Sequence, residues 1–576
     1  MRNAIKEIYA EVLELWKKKG FAAGIILTML LSFATLLFNP TVGIDDTSFG
    51  IYYEDGVSPA MGRWCLFLIN KIFPLAYNPY FVEAAGLLIF CISVSLWCVV
   101  FGRLLGKRVP VWGYMLFGCA MISNPIISEV VIWYLQDGIY LGYGMAALAV
   151  LTGMNAYRSD RVKGWKQRAG CLALSAGFLT AALGFYESFM IVFLIAMLMV
   201  FLLVRVLKSG KKQAGLLKGG KTQESGVQAA GGYCGRPGKW FVNILITCVS
   251  AVVLRTVIVE LMILVFRLQD QTRVLRSRGL HEFLAWFGSA DGLAGFVKVL
   301  QTFFVKYYIN AAVYLPITVL VLAEAVLGGF ALYQAIRKKD GWIMAAAAGI
   351  VLVPWILPVL EGVATYYRTS QYIPLVSAFM VLLASWWLAC PGASRLVRGS
   401  GLILVFVLLY NQAYEMNKWL YTDAQKYEDT KRTLDTVALS ILENCDASKP
   451  VCIIGEYETP SGLIADAYCP VWSRKYKVVS SLVNLVNPQI LEEFTGPQGY
   501  AFAETPQLSF IKWGATAFYG FDREIIKFWK MHGFSFSEDG NLQHYAEAGE
   551  LMKDGPVWPA EGSIVELEDY IIVNFG

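Results

Sequence analysis

Eleven long apolar stretches constrain this chain more than any other feature of its 576 residues. A membrane-spanning helix needs about 20 mostly apolar residues. Hydrophobic residues make up 56% of the chain and charged residues only 16%, whereas about a quarter of the residues in a soluble domain are charged. The predicted spans are 21–38, 82–102, 109–127, 138–156, 169–186, 188–207, 240–266, 311–335, 343–361, 373–390 and 401–416. We therefore expect an α-helical polytopic membrane protein with about eleven transmembrane helices.

Lys and Arg residues in the connecting loops predict how the spans are oriented. Cytoplasmic loops of membrane proteins are enriched in these two residues. Basic segments precede the first predicted span and then occur in every second loop, which places them all on one side of the membrane. They are Lys17–Lys19, GRLLGKR, RSDRVKGWKQR, residues 205–239, IRKKDGW and SRLVRG. We therefore expect the N-terminus in the cytoplasm, and the acidic loops and the C-terminal part on the outer face of the cell membrane.

Composition divides the chain into three predicted parts. Residues 1–20 are charged and lack the apolar core of a secretory signal, so they predict a cytoplasmic amphipathic helix. Residues 21–417 form the predicted transmembrane domain, and the polar residues 418–576 predict an extracytoplasmic soluble α/β domain. Within the last part, DAQKYEDTKRTLDTVALSILENC has helical periodicity and PVCIIGEY is typical of a short buried strand.

A dense acidic cluster follows the first span, in GIDDTSFGIYYEDGVSPAMGRW, residues 43–64. Burial and mutual repulsion disfavour ionisation of both members of an acid pair such as Asp45 and Asp46, and one pKa tends to rise. Such a carboxylate suits a general base acting on a hydroxyl. The alternative interpretation is a solvated loop whose acids avoid the cytoplasmic side. The next segment, RWCLFLINKIFPLAY, predicts a helix lying in the membrane interface.

Other polar residues are predicted on the same outer face. Tyr186 and Glu187 interrupt a nearly continuous apolar stretch and predict a tight outer turn. Arg368 lies among aromatic residues at the outer end of the ninth span, where the alternative role is a snorkelling anchor. Arg255 and Glu260 fall inside the seventh span, where ionisable side chains are costly and indicate a functional pocket or a buried pair. The set predicts a pocket that opens outward, with acids to take a proton and Arg to hold phosphate.

The sequence offers little support for metal or nucleotide chemistry. The three His residues form no pair with metal-ligand spacing, and we find no glycine-rich loop of the kind that cradles phosphates. A two-acid loop can contribute to a divalent cation site, for Mg²⁺ or Mn²⁺, but such hard cations take several oxygen ligands. We assign no metal ligands and expect metal-independent chemistry, with a divalent cation as the open alternative.

The segment NPTVGIDDTSFGIYY followed by GRWCLFLINKIF resembles the GtrII-like glucosyltransferase family, within the GT-C class of membrane glycosyltransferases. In that family an Asp-Asp pair follows the first span and a Gly-Arg pair opens the next helix, matching Asp45, Asp46, Gly62 and Arg63. The segments SNPIISEVVIWYLQD and LGFYESFM resemble later outer turns of the family, which usually has Gln where this chain has Glu187. The resemblance covers roughly residues 20–420.

This resemblance implies a reaction and its partners. A polyprenyl-phosphate-linked sugar, such as undecaprenyl-phosphate glucose, is the implied donor, and a hydroxyl of a cell-envelope glycan is the acceptor. Asp45 or Asp46 acts as the base, and Arg side chains stabilise the departing lipid phosphate while the anomeric centre inverts. The implied partners are the donor, the acceptor and the lipid bilayer, and no nucleic acid is expected. The candidate substrate-binding residues are Arg63, Tyr186, Glu187, Arg255, Tyr367 and Arg368.

Three other functions compete with this interpretation. A transporter or lipid-sugar flippase predicts acids or broken helices at the bilayer midplane and often repeat symmetry, and we find no repeat. A glycan polymerase or ligase predicts a large Arg-rich outer loop, for which residues 267–310 are a candidate. The third alternative is a scaffold that presents residues 418–576.

Overall fold

The computed structural model describes residues 2–39, 41, 62–72, 79–128, 138–158, 162, 164–208, 233, 236–267, 287–289, 292–304, 319–362, 369–390, 392–455 and 523–576. These residues are mostly helical, and a small sheet lies near the C-terminus. The first part of the chain contains α1 (Arg2–Trp16), α2 (Lys19–Phe38), α3 (Trp64–Ile72), α4 (Pro79–Leu105), α5 (Val111–Ile122), α6 (Gly138–Asn155), α7 (Trp165–Phe185), α8 (Phe189–Lys208) and α9 (Pro237–Phe266).

The second part begins with shorter helices and ends in a mixed unit. Its helices are α10 (Gly292–Phe304), α11 (Val319–Lys338), α12 (Gly341–Leu352), α13 (Ile356–Glu361), α14 (Tyr372–Leu388), α15 (Arg395–Asn444), α16 (Arg523–Met531) and α17 (Leu542–Leu551). Its strands are β1 (Val451–Ile454), β2 (Ile564–Glu566) and β3 (Ile571–Asn574).

The apolar helices agree with a membrane protein. Each predicted span overlaps a helix, and the predicted turn at Tyr186 and Glu187 separates α7 from α8. In the described part of the chain, seven helical stretches are long and apolar enough to cross a membrane: Lys19–Phe38, Glu83–Arg108, Trp165–Phe185, Phe189–Lys208, Pro237–Phe266, Gly341–Leu360 and Arg395–Asn444. Several other apolar helices, such as α5 and α14, are shorter. The membrane character is thus supported, and the number of eleven crossings stays a prediction.

Small residues allow close contact between helices. A Cβ atom added to Gly118 of α5 would lie 2.5 Å from the Cδ1 atom of Ile25 in α2. In the other direction, Gly24 of α2 faces the side chain of Met115. Membrane helices associate through such small residues because apolar side chains gain little from leaving lipid for a protein interior.

Large apolar side chains remain exposed on the outside of the helical bundle. Helix α9 exposes Leu245, Val249 and Leu261, for example, and α15 exposes Leu404 and Phe406. An exposed apolar surface of this extent on long helices fits contact with lipid tails.

Ion pairs connect helices at the end of the bundle where the basic segments cluster. Arg205 of α8 lies 2.6 Å from the Asp340 carboxylate, which also accepts a hydrogen bond from the backbone N–H of Trp342. Asp340 therefore caps the N-terminus of α12. Arg103 of α4 donates to Glu11 of α1 at 2.9 Å, so this contact attaches the N-terminal helix to the bundle.

Two helices differ from their predicted spans. The ninth span is not one α-helix, because a short 3₁₀ segment, Val353–Trp355, separates α12 from α13 and contains Pro354. Proline removes a backbone donor and clashes with the preceding turn of an α-helix. Helix α15 extends well past the eleventh predicted span and passes residue 417 without interruption. The change in composition at 417 is therefore not a break in secondary structure.

A small sheet and its helices follow α15. Within the described residues the strand order is β1–β3–β2. β3 pairs parallel with β1, with Val451 opposite Ile571, and antiparallel with β2. The last turns of α15 bury Val437 and Ile441 in the same apolar cluster as Trp529 of α16. The strand predicted in PVCIIGEY is confirmed as β1, and the extracytoplasmic location of this part stays a prediction.

Candidate functional site

A three-residue turn between α7 and α8 forms the centre of the candidate site. The backbone N–H of Tyr186 still donates to Ala182, but Tyr186 itself is extended and ends the helix. Helix α8 begins at Phe189, whose N–H donates to the Tyr186 carbonyl at 3.3 Å. The turn leaves the side chain of Glu187 partly accessible at the end of two helices.

Glu187 holds two arginines that come from distant parts of the chain. Its Oε1 atom accepts a hydrogen bond from Nη2 of Arg255 at 3.0 Å, and its Oε2 atom lies 3.9 Å from Nε of Arg63. The side chains of Arg63, Arg255 and Glu187 are 17%, 24% and 38% exposed. These three groups together carry one net positive charge and are partly shielded from water, where charge interactions are stronger than in bulk solvent.

Tyr186 orients Arg63 from a second direction. The guanidinium carbon of Arg63 lies 4.4 Å from the centre of the Tyr186 ring, within the range of a cation–π contact. Tyr186 is itself buried. The aromatic face and the Glu187 carboxylate therefore fix the guanidinium plane of Arg63 before any ligand arrives.

Two glycines make this arrangement sterically feasible. Gly62 has a φ of +86°, and a Cβ atom there would lie 1.8 Å from Nη2 of Arg255. Gly184, on the last turn of α7, faces Trp64, whose Nε1 atom would be 2.6 Å from an added Cβ atom. Only residues without side chains allow α3 to begin this close to α7 and α9.

The cluster lies some distance before the end of α9. Arg255 precedes Phe266, the last residue of α9, by eleven residues, which correspond to about 16 Å along a helix. Helix α3 covers this last part of α9, because the rings of Phe67 and Phe266 meet edge to face at 5.0 Å. The site thus lies where α3, the α7–α8 turn and α9 meet.

The structure brings together half of the candidate residues. Arg63, Tyr186, Glu187 and Arg255 form one cluster, although their roles in binding stay predictions. The other four candidates, Asp45, Asp46, Tyr367 and Arg368, lie outside the described residues. The nearest described residues on either side are Thr41 and Gly62 for the acids, and Gly362 and Thr369 for Arg368.

Arg255 has an acidic partner outside its own helix. It donates a hydrogen bond to Glu187 of the α7–α8 turn, whereas Glu260 of α9 is exposed. A separation of five residues puts Arg255 and Glu260 on different faces of α9, since neighbours on a helix are three or four residues apart. No local signal in the sequence identifies Glu187 as a partner of Arg255.

Two further polar atoms beside the cluster were not expected from the sequence. The Trp64 indole Nε1 and the Ser188 hydroxyl are buried, and within the described residues neither has a hydrogen-bond partner. Trp64 follows Arg63 and Ser188 follows Glu187, so both flank the ion pairs in the chain. Buried polar groups normally find partners, and a ligand with hydroxyl or phosphate oxygens is one source of them.

The start of α14 is held firmly near the position of Arg368. The Tyr143 hydroxyl of α6 donates to the backbone carbonyl of Gln371 at 2.8 Å, and both residues are buried. Gln371 follows Arg368 by three residues. This contact fixes Gln371, at the start of α14, at a defined point of the bundle.

No three His, Cys, Asp or Glu side chains converge as a metal site within the part of the chain that is described. The Asp45–Asp46 pair falls outside that part. The described acid of the cluster, Glu187, is engaged by two arginines, which makes it a poor ligand for a cation.

Comparison with known protein families gives a match over the first part of the chain. Residues 34–226 match the family model described as Glucosyl transferase GtrII, which confirms the resemblance over about a third of the chain. The matched region includes the Asp45–Asp46 pair, Arg63 and Glu187, and it ends before Arg255. No curated protein and no solved structure matches the chain.

Proposed function

We propose, from the match of residues 34–226 to the GtrII glucosyltransferase family, that this membrane glycosyltransferase takes its sugar from a polyprenyl-phosphate carrier. The acceptor in this proposal is a hydroxyl of a cell-envelope glycan on the outer face of the membrane, and the sugar is glucose or a close relative. The observation that carries the proposal is the Arg63–Glu187–Arg255 cluster, in which Arg63 and Glu187 belong to the matched region.

The cluster has the chemistry expected of a site for a lipid phosphate. Guanidinium groups bind phosphate oxygens through paired, charge-assisted hydrogen bonds. Here the guanidinium groups of Arg63 and Arg255 both contact the Glu187 carboxylate, and the Tyr186 ring also contacts that of Arg63. Because Glu187 and Tyr186 hold the arginines in advance, little reorganisation is needed when the phosphate gains charge as it leaves.

The proposed reaction is a single displacement at the anomeric carbon. Asp45 or Asp46 removes the proton from the acceptor hydroxyl, and the hydroxyl oxygen forms the new bond to that carbon. The bond between the anomeric carbon and the phosphate oxygen breaks on the opposite side, so the configuration inverts. The proton stays on the aspartate, and the lipid phosphate leaves with the electron pair toward Arg63 and Arg255.

Substitution of the two acids and one arginine tests this proposal. We expect Asp45→Asn or Asp46→Asn, whichever removes the base, to lower glycosyl transfer by about 10²–10⁴-fold while binding of polyprenyl-phosphate glucose is retained. Arg255→Gln should instead weaken donor binding as well as transfer. The measurements are transfer to isolated cell-envelope glycan by the protein in liposomes, and retention of labelled donor.

The same variants separate the proposal from a lipid-sugar flippase. A flippase would move the labelled donor across the liposome membrane at the wild-type rate in an Asp45→Asn/Asp46→Asn double variant and would transfer no sugar. Wild-type transfer by both single Asn variants would exclude these acids as the base.

A further inference from the structure

Asp423 is a buried acid of α15 that contacts the chain just before the Asp-Asp pair. The residue is only 2% exposed, and its Oδ2 atom accepts a hydrogen bond from the Thr41 hydroxyl. The two residues are 382 positions apart in the sequence. Asp423 also lies outside the region that matches the family model, which ends at residue 226.

The contact belongs to a continuous buried stripe on α15. Gln412, Met416, Leu420 and Asp423 are all buried, and their spacing of three or four residues places them on one face of the helix. Phe406 and Tyr410, on other faces of α15, are largely exposed. One face of α15 is therefore attached to the bundle over more than three turns.

Polar contacts set the register of α15 against the bundle. The Ser123 hydroxyl donates to Gln412 at 2.9 Å, and the Thr35 hydroxyl of α2 donates to Asn417 at 3.1 Å. Asn417 also donates to the carbonyl of Leu31. Contact positions rise together from the Thr35–Asn417 pair to the Thr41–Asp423 pair, so α15 runs in the same direction as α2 and the chain that follows it. α15 continues past the end of α2 to reach Thr41.

Burying a carboxylate costs free energy unless hydrogen bonds compensate for the lost water. A charged side chain is therefore unfavourable where only apolar packing is needed. Leu420 makes the packing contact one turn earlier without this cost. The carboxylate of Asp423 adds something that packing does not provide, a directional acceptor for the Thr41 hydroxyl.

We propose that Asp423 is a positioning residue, which fixes the start of the Asp45–Asp46 segment through Thr41. Thr41 precedes Asp45 by four residues, so the Cα atoms of the two are at most about 14 Å apart. Fixing Thr41 restricts where the candidate base can lie relative to the arginine cluster. This inference rests on the proposed function, and it assigns a role in catalysis to α15, which lies outside the family-matched region.

The test combines kinetics with a double-mutant cycle in the full-length protein. Thr41→Val removes the hydroxyl at nearly constant volume, and we expect it to lower kcat about 10-fold to 100-fold, since small misplacements of catalytic groups have effects of this size. KM for the polyprenyl-phosphate sugar should stay within about twofold, because the arginine cluster is untouched. Thr41→Ser keeps the hydroxyl and should restore most of kcat.

The cycle measures whether the two side chains act through each other. Asp423→Ala should lower kcat to a similar extent, and the Thr41→Val/Asp423→Ala double variant should be no slower than the worse single variant. Thr436→Val, an exposed threonine further along α15, is the matched control and should leave kcat unchanged. Multiplicative effects, a rise in KM at constant kcat, or wild-type kcat in Thr41→Val would each overturn the inference.

An activity-independent measurement separates this inference from the proposed function. Backbone hydrogen exchange in peptides that cover residues 36–50 should accelerate in Thr41→Val and Asp423→Ala, and should not change in Thr436→Val. Unchanged exchange in the first two variants overturns the positioning role. Accelerated exchange together with full transfer by Asp45→Asn and Asp46→Asn would instead refute the proposed base and, with it, the catalytic meaning of the contact.

Discussion

Gly62 determines how close Arg63 and Arg255 can come. The residue has a positive φ, and its missing side chain leaves room for the Arg255 guanidinium. The sequence identified Gly62 only as half of a Gly-Arg pair. Its steric role depends on Arg255, which is almost 200 residues away and outside the matched region, so no local pattern could predict it.

Substitution of Gly62 by Ala should therefore damage the site through Arg255. The left-handed conformation costs a non-glycine residue about 1–2 kcal/mol, and the new methyl group occupies the place of Nη2 of Arg255. We expect weaker donor binding and slower transfer, with a KM for the donor raised at least several-fold. Gly238→Ala, at an open position near the start of α9, is the control in the same assay. Equal KM values in the two variants would contradict the steric role.

Glu187→Gln tests what the charge of Glu187 contributes. The amide oxygen can still accept from Arg255, but the net charge of the three-residue cluster rises from +1 to +2. We expect the protein to fold, KM for the phosphate-bearing donor to fall, and binding to become more sensitive to salt, because surface charge interactions are screened. Titration of donor binding at low and high ionic strength measures both effects. A raised KM would show that the hold of Glu187 on the two arginines matters more for donor binding than the net charge of the cluster.

At the scale of elements, the apolar stretches predicted the helices well because length and hydropathy are local properties. The turn at Tyr186 was predictable for the same reason, since the apolar stretch around it is too long for one span. Helix α15 was not predicted as a single element. Its first half is apolar and its second half polar, and only the structure shows that one continuous buried stripe joins them.

The buried stripe of α15 should contribute measurably to stability. Met416 is fully buried, whereas Leu404 on the same helix is largely exposed. Truncation of a buried Met to Ala costs about 2–5 kcal/mol through lost contacts and the remaining cavity. We expect Met416→Ala to lower the thermal unfolding midpoint of the detergent-solubilised protein, and Leu404→Ala to leave it nearly unchanged. Similar midpoints in the two variants would argue against a stabilising role for this face of α15.

For the whole molecule, the parallel contact of α2 and α15 agrees with the predicted orientation. With an odd number of crossings, the two ends of a chain lie on opposite sides of the membrane. The first and last predicted spans therefore cross the membrane in the same direction. The sequence predicted this common direction from the number of spans together with the basic loops. It could not predict which helices touch, because side-chain contacts such as Thr35 with Asn417 join residues that are far apart in the chain.

Thiol labelling in intact cells tests this orientation. The exposed native Cys390 follows α14 on the predicted inner side, so a membrane-impermeant maleimide should label it only after permeabilisation. A cysteine introduced by Glu443→Cys, near the end of α15, should be labelled without permeabilisation. The background replaces by Ser the partly exposed Cys171, Cys248 and Cys445, together with Cys234 and Cys469. Labelling of Cys390 in intact cells would reverse the predicted topology.

The unbroken course of α15 has a mechanical consequence. Its 50 residues correspond to a rod about 75 Å long, in which each residue adds about 1.5 Å and rotates the remainder of the chain by about 100°. Length and phase are thus linked: one inserted residue would rotate the small sheet by more than a quarter turn, and seven would displace it by two turns at nearly the same angle. Such a helix sets both the distance of the C-terminal unit from the bundle and its rotation about the helix axis. Insertions or deletions can therefore change that distance without changing the rotation only in steps of whole turns.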